Sequence, residues 1–211
     1  MRRNRGALRP LRRPRPGWRQ AVSIVALSRQ FGSGSQIVAA QLAEDLGWRV
    51  VDREILEEEA RLAGVPLPNV MHRDERAPSV IESWARKGDA ERYFQALMAA
   101  VRKFAEQGHV VFVGRGAGFI LRDRPCVHVR LVAETEFRVR RVMQVRWVGE
   151  DQAMAMIRAN DEERAAFHRR FFGVDWNDPT HYHATLCTSL AGPEQAARTL
   201  AAIVRAWPWE G

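Results

Sequence analysis

The chain has 211 residues, 46% of them apolar and 27% charged, which fits one globular domain with an ordinary core or one domain plus a tail. Its formal net charge of +8 belongs to the first 20 residues, which hold eight arginines and no acid, while the remainder balances 25 basic against 25 acidic residues. A folded surface that is basic throughout is thereby excluded, and two cysteines exclude a disulfide framework or a cysteine metal site.

In residues 1–20, Pro10, Pro14 and Pro16 interleave with the arginines and leave too little apolar surface to pack, so a disordered tail is expected. It reads as a solvated appendage or a mis-set start, with contact to RNA or an anionic membrane as the functional alternative. No segment reaches the roughly 20 apolar residues of a membrane span. The run Ala-Val-Ser-Ile-Val-Ala-Leu (21–27) is short for a secretory signal and lacks a cleavage site, so a cytoplasmic location is expected.

Residues 21–207 are expected to form one domain. Val22–Leu27 is an apolar run of strand length, and Ile37, Val38, Leu42 and Leu46 then recur at helical spacing until Gly47 ends the helix. Trp48–Val51 is a second strand, Arg53–Ala63 a helix, 78–86 a short helix and Ala90–Gln107 a long amphipathic one. His109–Val113 and Cys126–Val132 are strands three and four, separated by the run Gly114-Arg115-Gly116-Ala117-Gly118. Glu134–Trp147 and Asp151–Phe172 are arginine-rich helices, Ala184–Leu190 the last strand and Glu194–Ala206 the closing helix. This alternation predicts an α/β fold with a parallel sheet covered on both faces. Cys126 and Cys187 lie in apolar runs and read as buried reduced thiols.

Between the first strand and the first helix stands Ser28-Arg29-Gln30-Phe31-Gly32-Ser33-Gly34-Ser35. A glycine-bearing turn there presents backbone N–H groups to an anion, and the helix N-terminus adds about half a positive charge. Aligned with the pattern G-x-x-x-x-G-K-[ST], Gly34 takes the second glycine, Ser35 the lysine and Gln36 the hydroxyl. The lysine is absent, and Lys87 and Lys103 are the only lysines in the chain. Arg29, within the loop, is the candidate to replace that charge. Ser28, Gly32, Ser33, Gly34, Ser35 and Gln36 are the candidate phosphate-binding residues. A plain strand–helix turn is the competing reading.

Asp52 closes the second strand, where it is placed to hydrogen-bond a ligand or to cap the following helix. Arg115 follows a strand end, the usual position of ligands in open α/β sheets. Arg138 and Arg141 are three apart, so both are expected to point into one cleft, with Arg164 on the next helix; a solvated helix face competes for all three. Asp161 reads as a solvated surface acid, and Trp176 as a core anchor beside Phe171 and Phe172. His181 and His183 read as loop histidines, not metal ligands.

Five segments in order, VSIVALSRQFGSGS (22–35), VVDREIL (50–56), VFVGRGAGFILRDRP (111–125), DEERAAFHRRFFGVDWNDP (161–179) and Thr188-Ser189, resemble the cytidylate-kinase-like family of nucleoside monophosphate kinases. The resemblance covers about residues 21–206. It implies a three-layer P-loop-type fold with a five-stranded parallel sheet, a monophosphate-binding region and a helical lid. It also implies ATP-dependent phosphorylation of CMP or dCMP, with ATP and a pyrimidine nucleoside monophosphate as partners. Mg²⁺ is expected with ATP, with no metal ligand assigned beyond a hydroxyl from Ser33 or Ser35. By the resemblance Arg115 would clamp the acceptor monophosphate and Arg164 would be a lid arginine; Asp52 and Arg53 join Arg115 as candidate monophosphate-binding residues, and Arg29, Arg138, Arg141 and Arg164 are the candidate catalytic arginines. The chain departs from the family where Ser35-Gln36 replaces a frequent Gly-Arg, Gly118 a frequent acid and Cys187 a frequent Asn. The missing lysine leaves a non-catalytic nucleotide-binding or regulatory module as the alternative function.

Overall fold

The computed structural model describes residues 24–52, 58, 62 and 90–208. Five strands, β1 (Ile24–Arg29), β2 (Arg49–Val51), β3 (Val110–Val113), β4 (Val127–Val132) and β5 (Ala184–Cys187), form one sheet in the order β2-β3-β1-β4-β5. All four pairings are parallel. The chain leaves β1 for one side of the sheet and returns to the other, so a crevice opens at the carboxyl end of β1.

Alternation along the strands divides the core. On one face Val25, Leu27, Val111, Val113, Val129 and Leu131 pack against α1 (Ser35–Leu46) and the closing helix, Pro193–Ala206. On the other, Ile24, Ala26, Val110 and Phe112 pack against α2 (Ala90–Ala105) and the short α3 (Ala117–Ile120). Both faces are dry, as a parallel sheet requires. The helices α4 (Thr135–Arg146) and α5 (Glu150–Phe172) carry a third cluster around Val139, Val142, Ala153 and Ile157, with Phe31 of the loop packed on it.

Gly47 ends α1 in the left-handed region, its N–H donating to the carbonyls of Ala43 and Glu44. The last strand is shorter than the apolar run Ala184–Leu190. It stops at Cys187, and Thr188–Ala191 forms a helical turn, α6, before α7 (Pro193–Ala206). The reason is tertiary: the buried Thr188 hydroxyl donates to the carbonyls of Ser33, at 2.7 Å, and Val132, at 3.2 Å. These bonds draw the chain beneath the loop. Cys126 is a buried free thiol, its pKa pushed up to about 12 by burial, and Cys187 is a half-buried free one. The expected tail 1–20, Arg53 and the expected helix at 78–86 lie outside the described residues, as does most of Arg53–Ala63. Among the described residues no helix is long and apolar enough to cross a membrane.

Candidate active site

Two cavities open at the carboxyl end of β1, and they share two walls. The first, about 350 Å³, is lined by the loop residues Gly32, Gly34, Ser35 and Gln36 together with Arg141 and Arg146 of α4. The second, about 240 Å³, is lined by Ser28, Asp52, Arg115 and, from the α5 side, Phe167, His168 and Trp176. Arg29 and Arg164 line both.

The loop is held from below and from the side. Gln30 N–H donates to Leu131 O at 3.0 Å, while the Gln30 side-chain oxygen accepts from Ala133 N–H at 3.0 Å. Gly34 caps α1 at φ 78°, a conformation natural to glycine. A Cβ there would come within 2.8 Å of Pro193 Cγ, and one on Gly32 within 2.9 Å of Arg138 O. The two glycines are therefore set by packing against α7 and α4 as well as by the turn. The first amides of α1 have no acceptor within the helix and face the first cavity with the half-buried Ser35.

Arg29, the last residue of β1, lines the loop cavity as well as the second one. Its guanidinium crosses to β3, where it fills the space a Cβ on Gly114 would take. Burial and the neighbouring Arg164 and Arg115 lower its pKa to about 9, with Asp52 opposing them. Arg115 itself has φ 55°, a region side chains seldom adopt, and it lies between Gly114 (φ 81°) and Gly116 (φ 65°). Such backbone strain concentrates at sites where a side chain must be aimed. Asp52 accepts from Gln36 Nε2 at 2.7 Å, which links the first turn of α1 to the end of β2 across the two cavities.

The spacing argument for α4 holds for one arginine and fails for the other. Arg141 lines the first cavity. Arg138 is buried beneath the loop, donates to Phe31 O at 3.5 Å and pairs with Asp161 at 2.5 Å, and it lines neither cavity. Asp161 is likewise not the solvated acid expected. Its carboxylate accepts from Phe31 N–H at 2.8 Å, from Arg138 Nη1, and from Arg164 Nη1 at 3.2 Å. One acid thus joins α5, α4 and the loop. Arg164 also donates to Arg29 O at 3.3 Å; burial lowers its pKa, while Asp161 favours its charged form. Among the described residues Ser33 Oγ is buried and unpartnered, and of the two hydroxyls considered for a metal Ser35 is the one that lines these two cavities.

Sequence reasoning missed the buried polar layer under the second cavity. Ser28 Oγ lies 3.0 Å from His128 Nε2, and Tyr182 OH donates to Trp176 O at 2.6 Å. Arg130 donates to Asn177 Oδ1 at 2.6 Å and stacks its guanidinium 4.5 Å from the Trp176 ring centroid. Burial, with His183 and His168 nearby, holds His128 well below the ordinary histidine range. The signal was present in the strand Val127-His-Val-Arg-Leu-Val: a central strand buries both faces, so its two polar residues had to be paired inside. This layer also explains Gly118, because a Cβ there would overlap the His128 ring. Gly118→Ala is expected to cost roughly 2 kcal/mol through overpacking, read as a lower midpoint in urea unfolding. His183 Nδ1 accepts from His128 N–H, and His181 lies 3.8 Å from Asp178, so both histidines serve the loop.

The shared walls, with cation-lined space on either side, are what a phosphoryl group needs when it passes between two bound molecules. The pattern of the cytidylate kinase-like family matches residues 24–190. The chain belongs to that family. A cytidylate kinase of Aeropyrum pernix is 29% identical over 170 residues, 80% of this chain and 91% of the relative. One of Ignicoccus hospitalis is 24% identical over 180 residues, 85% and 97% respectively. An uncharacterized protein from Eubacterium ventriosum superimposes with a TM-score of 0.69 at 24% identity, covering 87% of this chain and 99% of the other. Shikimate kinase from Acinetobacter baumannii, solved with shikimate, gives 0.51 at 16% identity over 88% and 94%. The three-layer fold with its five-stranded parallel sheet is thus that of P-loop kinases. In this family member Ser35 stands where the common pattern has its lysine, and Arg29, Arg141 and Arg164 line the cavity beside the loop.

Proposed function

We propose that the protein transfers the γ-phosphoryl group of ATP to a nucleoside monophosphate, CMP or dCMP, giving ADP and the nucleoside diphosphate. The observation that carries this reading is the pair of cavities meeting at Arg29 and Arg164. On it, the loop cavity takes the ATP phosphates, with Gly32, Gly34, Ser35 and Gln36 around them and Arg141 at their flank. The second cavity takes the acceptor, with Arg115 and Asp52 at the phosphate end and Ser28, His168 and Trp176 at the far wall. The names of the two relatives, both cytidylate kinases, support cytidine as the acceptor base.

The chemistry asks little of acids and bases. An acceptor phosphate oxygen, already an anion near neutral pH, forms the new bond to the γ-phosphorus while the bond to the β,γ-bridging oxygen breaks and ADP leaves. Arg29 and Arg164 sit where charge spreads over the transferred group, and arginine grips phosphate oxygens in pairs. Ser35, a hard oxygen donor on the wall of the loop cavity, and the Asp52 carboxylate suit Mg²⁺ carried in with ATP. When bound, Mg²⁺ neutralises charge on the β and γ oxygens. The long helix α5 carries Arg164 to the junction of the two cavities.

A coupled assay with Mg-ATP and CMP, dCMP, UMP or AMP tests the reading, with turnover of the cytidine nucleotides expected. A protein that binds ATP and turns over no acceptor is instead the nucleotide-binding or regulatory module, the reading favoured by Ser35-Gln36 in place of the lysine and hydroxyl.

A further inference from the structure

Beside the second cavity lies a buried hydrogen-bond acceptor with nothing to accept. His168 on α5 is 6% exposed and lines the cavity beside Ser28 and Trp176. Its Nδ1 lies 2.7 Å from Arg164 O. A carbonyl oxygen only accepts, so Nδ1 carries the ring proton and donates. In the neutral ring Nε2 is then a lone pair. It is buried without a partner among the described residues. Buried polar atoms are rarely left so, and those that are call for an explanation, often a ligand.

The ring has no freedom to turn away. Trp176 stacks on it at 5.8 Å and 26°, Phe119 meets it edge-on at 5.0 Å, and the bond to Arg164 O fixes its flip. Protonation at Nε2 is opposed by burial and by the nearby cations Arg130, Arg29 and Arg164, which together lower the pKa to about 4 although the Arg164 carbonyl opposes them. At working pH the group therefore accepts and does not donate.

We infer that His168 is a specificity-determining residue whose Nε2 accepts a hydrogen bond from a neutral N–H or O–H of the acceptor molecule. Resting on the proposed acceptor site, the two groups of that chemistry are the exocyclic amine of the base and a ribose hydroxyl. A cation is a poor fit beside three arginines, and a carbonyl at that point would face the lone pair.

The test measures equilibrium binding and, separately, turnover of CMP, UMP and dCMP by the intact wild type, His168→Phe and His168→Gln. UMP lacks the amine and dCMP the 2′-hydroxyl. Wild type is expected to lose about tenfold or more in affinity for the analogue lacking the group that is read. His168→Phe, which fills the same space without an acceptor, is expected to bind all three alike. His168→Gln, which restores an acceptor oxygen, is expected to recover part of the preference. Thermal melting of each variant reports folding, and a merely structural role would lower all three affinities together without changing their ratios. Unchanged ratios in His168→Phe, with turnover retained, overturn the assignment and leave the kinase reading standing. Discrimination in binding without turnover does the reverse. No binding of any monophosphate by wild type overturns both.

Discussion

Arg29→Met is expected to lower kcat about a thousandfold and, in the same protein, to raise the melting temperature of the ligand-free form. The first effect follows from position. Arg29 lines both cavities, and on the proposed function losing a preorganised cation aimed at the transferred group costs on that order. The second follows from electrostatics. The half-buried guanidinium lies near Arg164 and Arg115, and only Asp52 opposes them, so without phosphate its charge is an expense to the fold. The sign with pH can be stated. Because the folded pKa is lowered to about 9, the folded state holds fewer protons than the unfolded chain between about 9 and the ordinary arginine value. Stability rises with pH through that window, and below about 9 the destabilisation is fully present. Arg29→Met removes that dependence. Differential scanning calorimetry at pH 7 with steady-state kinetics reads both effects. An unchanged kcat dismisses Arg29 from the reaction. Ser35→Lys, which restores the lysine of the common pattern, provides the comparison: recovery of rate in the Arg29→Met background shows that the two cations do the same work.

Asp161→Asn is expected to destabilise the protein by roughly 3 kcal/mol, the cost of removing one partner of a largely buried ion pair. For a domain of this size that is a fall of about 8 °C in Tm. Arg138 is 8% exposed, so its charge loses its partner while remaining inside. The Phe31 amide keeps an acceptor in the Asn oxygen, which separates the charge effect from the loss of the bond. The double variant Arg138→Met/Asp161→Asn is expected to be more stable than Asp161→Asn alone, because the orphaned charge has gone. Thermal unfolding of the three proteins checks this. Equal melting of Asp161→Asn and wild type would show that the pair holds nothing together.

Strand and helix identities were legible because the core imposes them locally. Val110–Val113 is apolar at every position, as a strand buried on both faces must be, and Ile37, Val38 and Leu42 repeat at the helical period. The glycine turn was legible too, since Gly32 and Gly34 lie between a strand and a helix. Two end points were not. The strand at Ala184 stops at Cys187 because Thr188 finds acceptors on Ser33 and Val132, residues far away in sequence. Arg138 and Arg141 share a helical face by spacing, yet the rotation of α4 against the loop buries one and opens the other. No local pattern encodes that rotation.

By itself, the sequence determined the α/β architecture, the position of the glycine-bearing loop after β1 and the absence of a lysine in it, all of which follow from residue type and short-range period. Only the tertiary structure decided which polar groups meet. It turned the Arg29 guanidinium toward Gly114, made Asp161 the knot between α4, α5 and the loop, and buried the His168 lone pair beside the second cavity. The physical reason is that burial forces each charge and hydrogen-bonding group to find a partner wherever the packed chain provides one. For residues separated by a hundred positions, that choice exists only once the sheet has assembled.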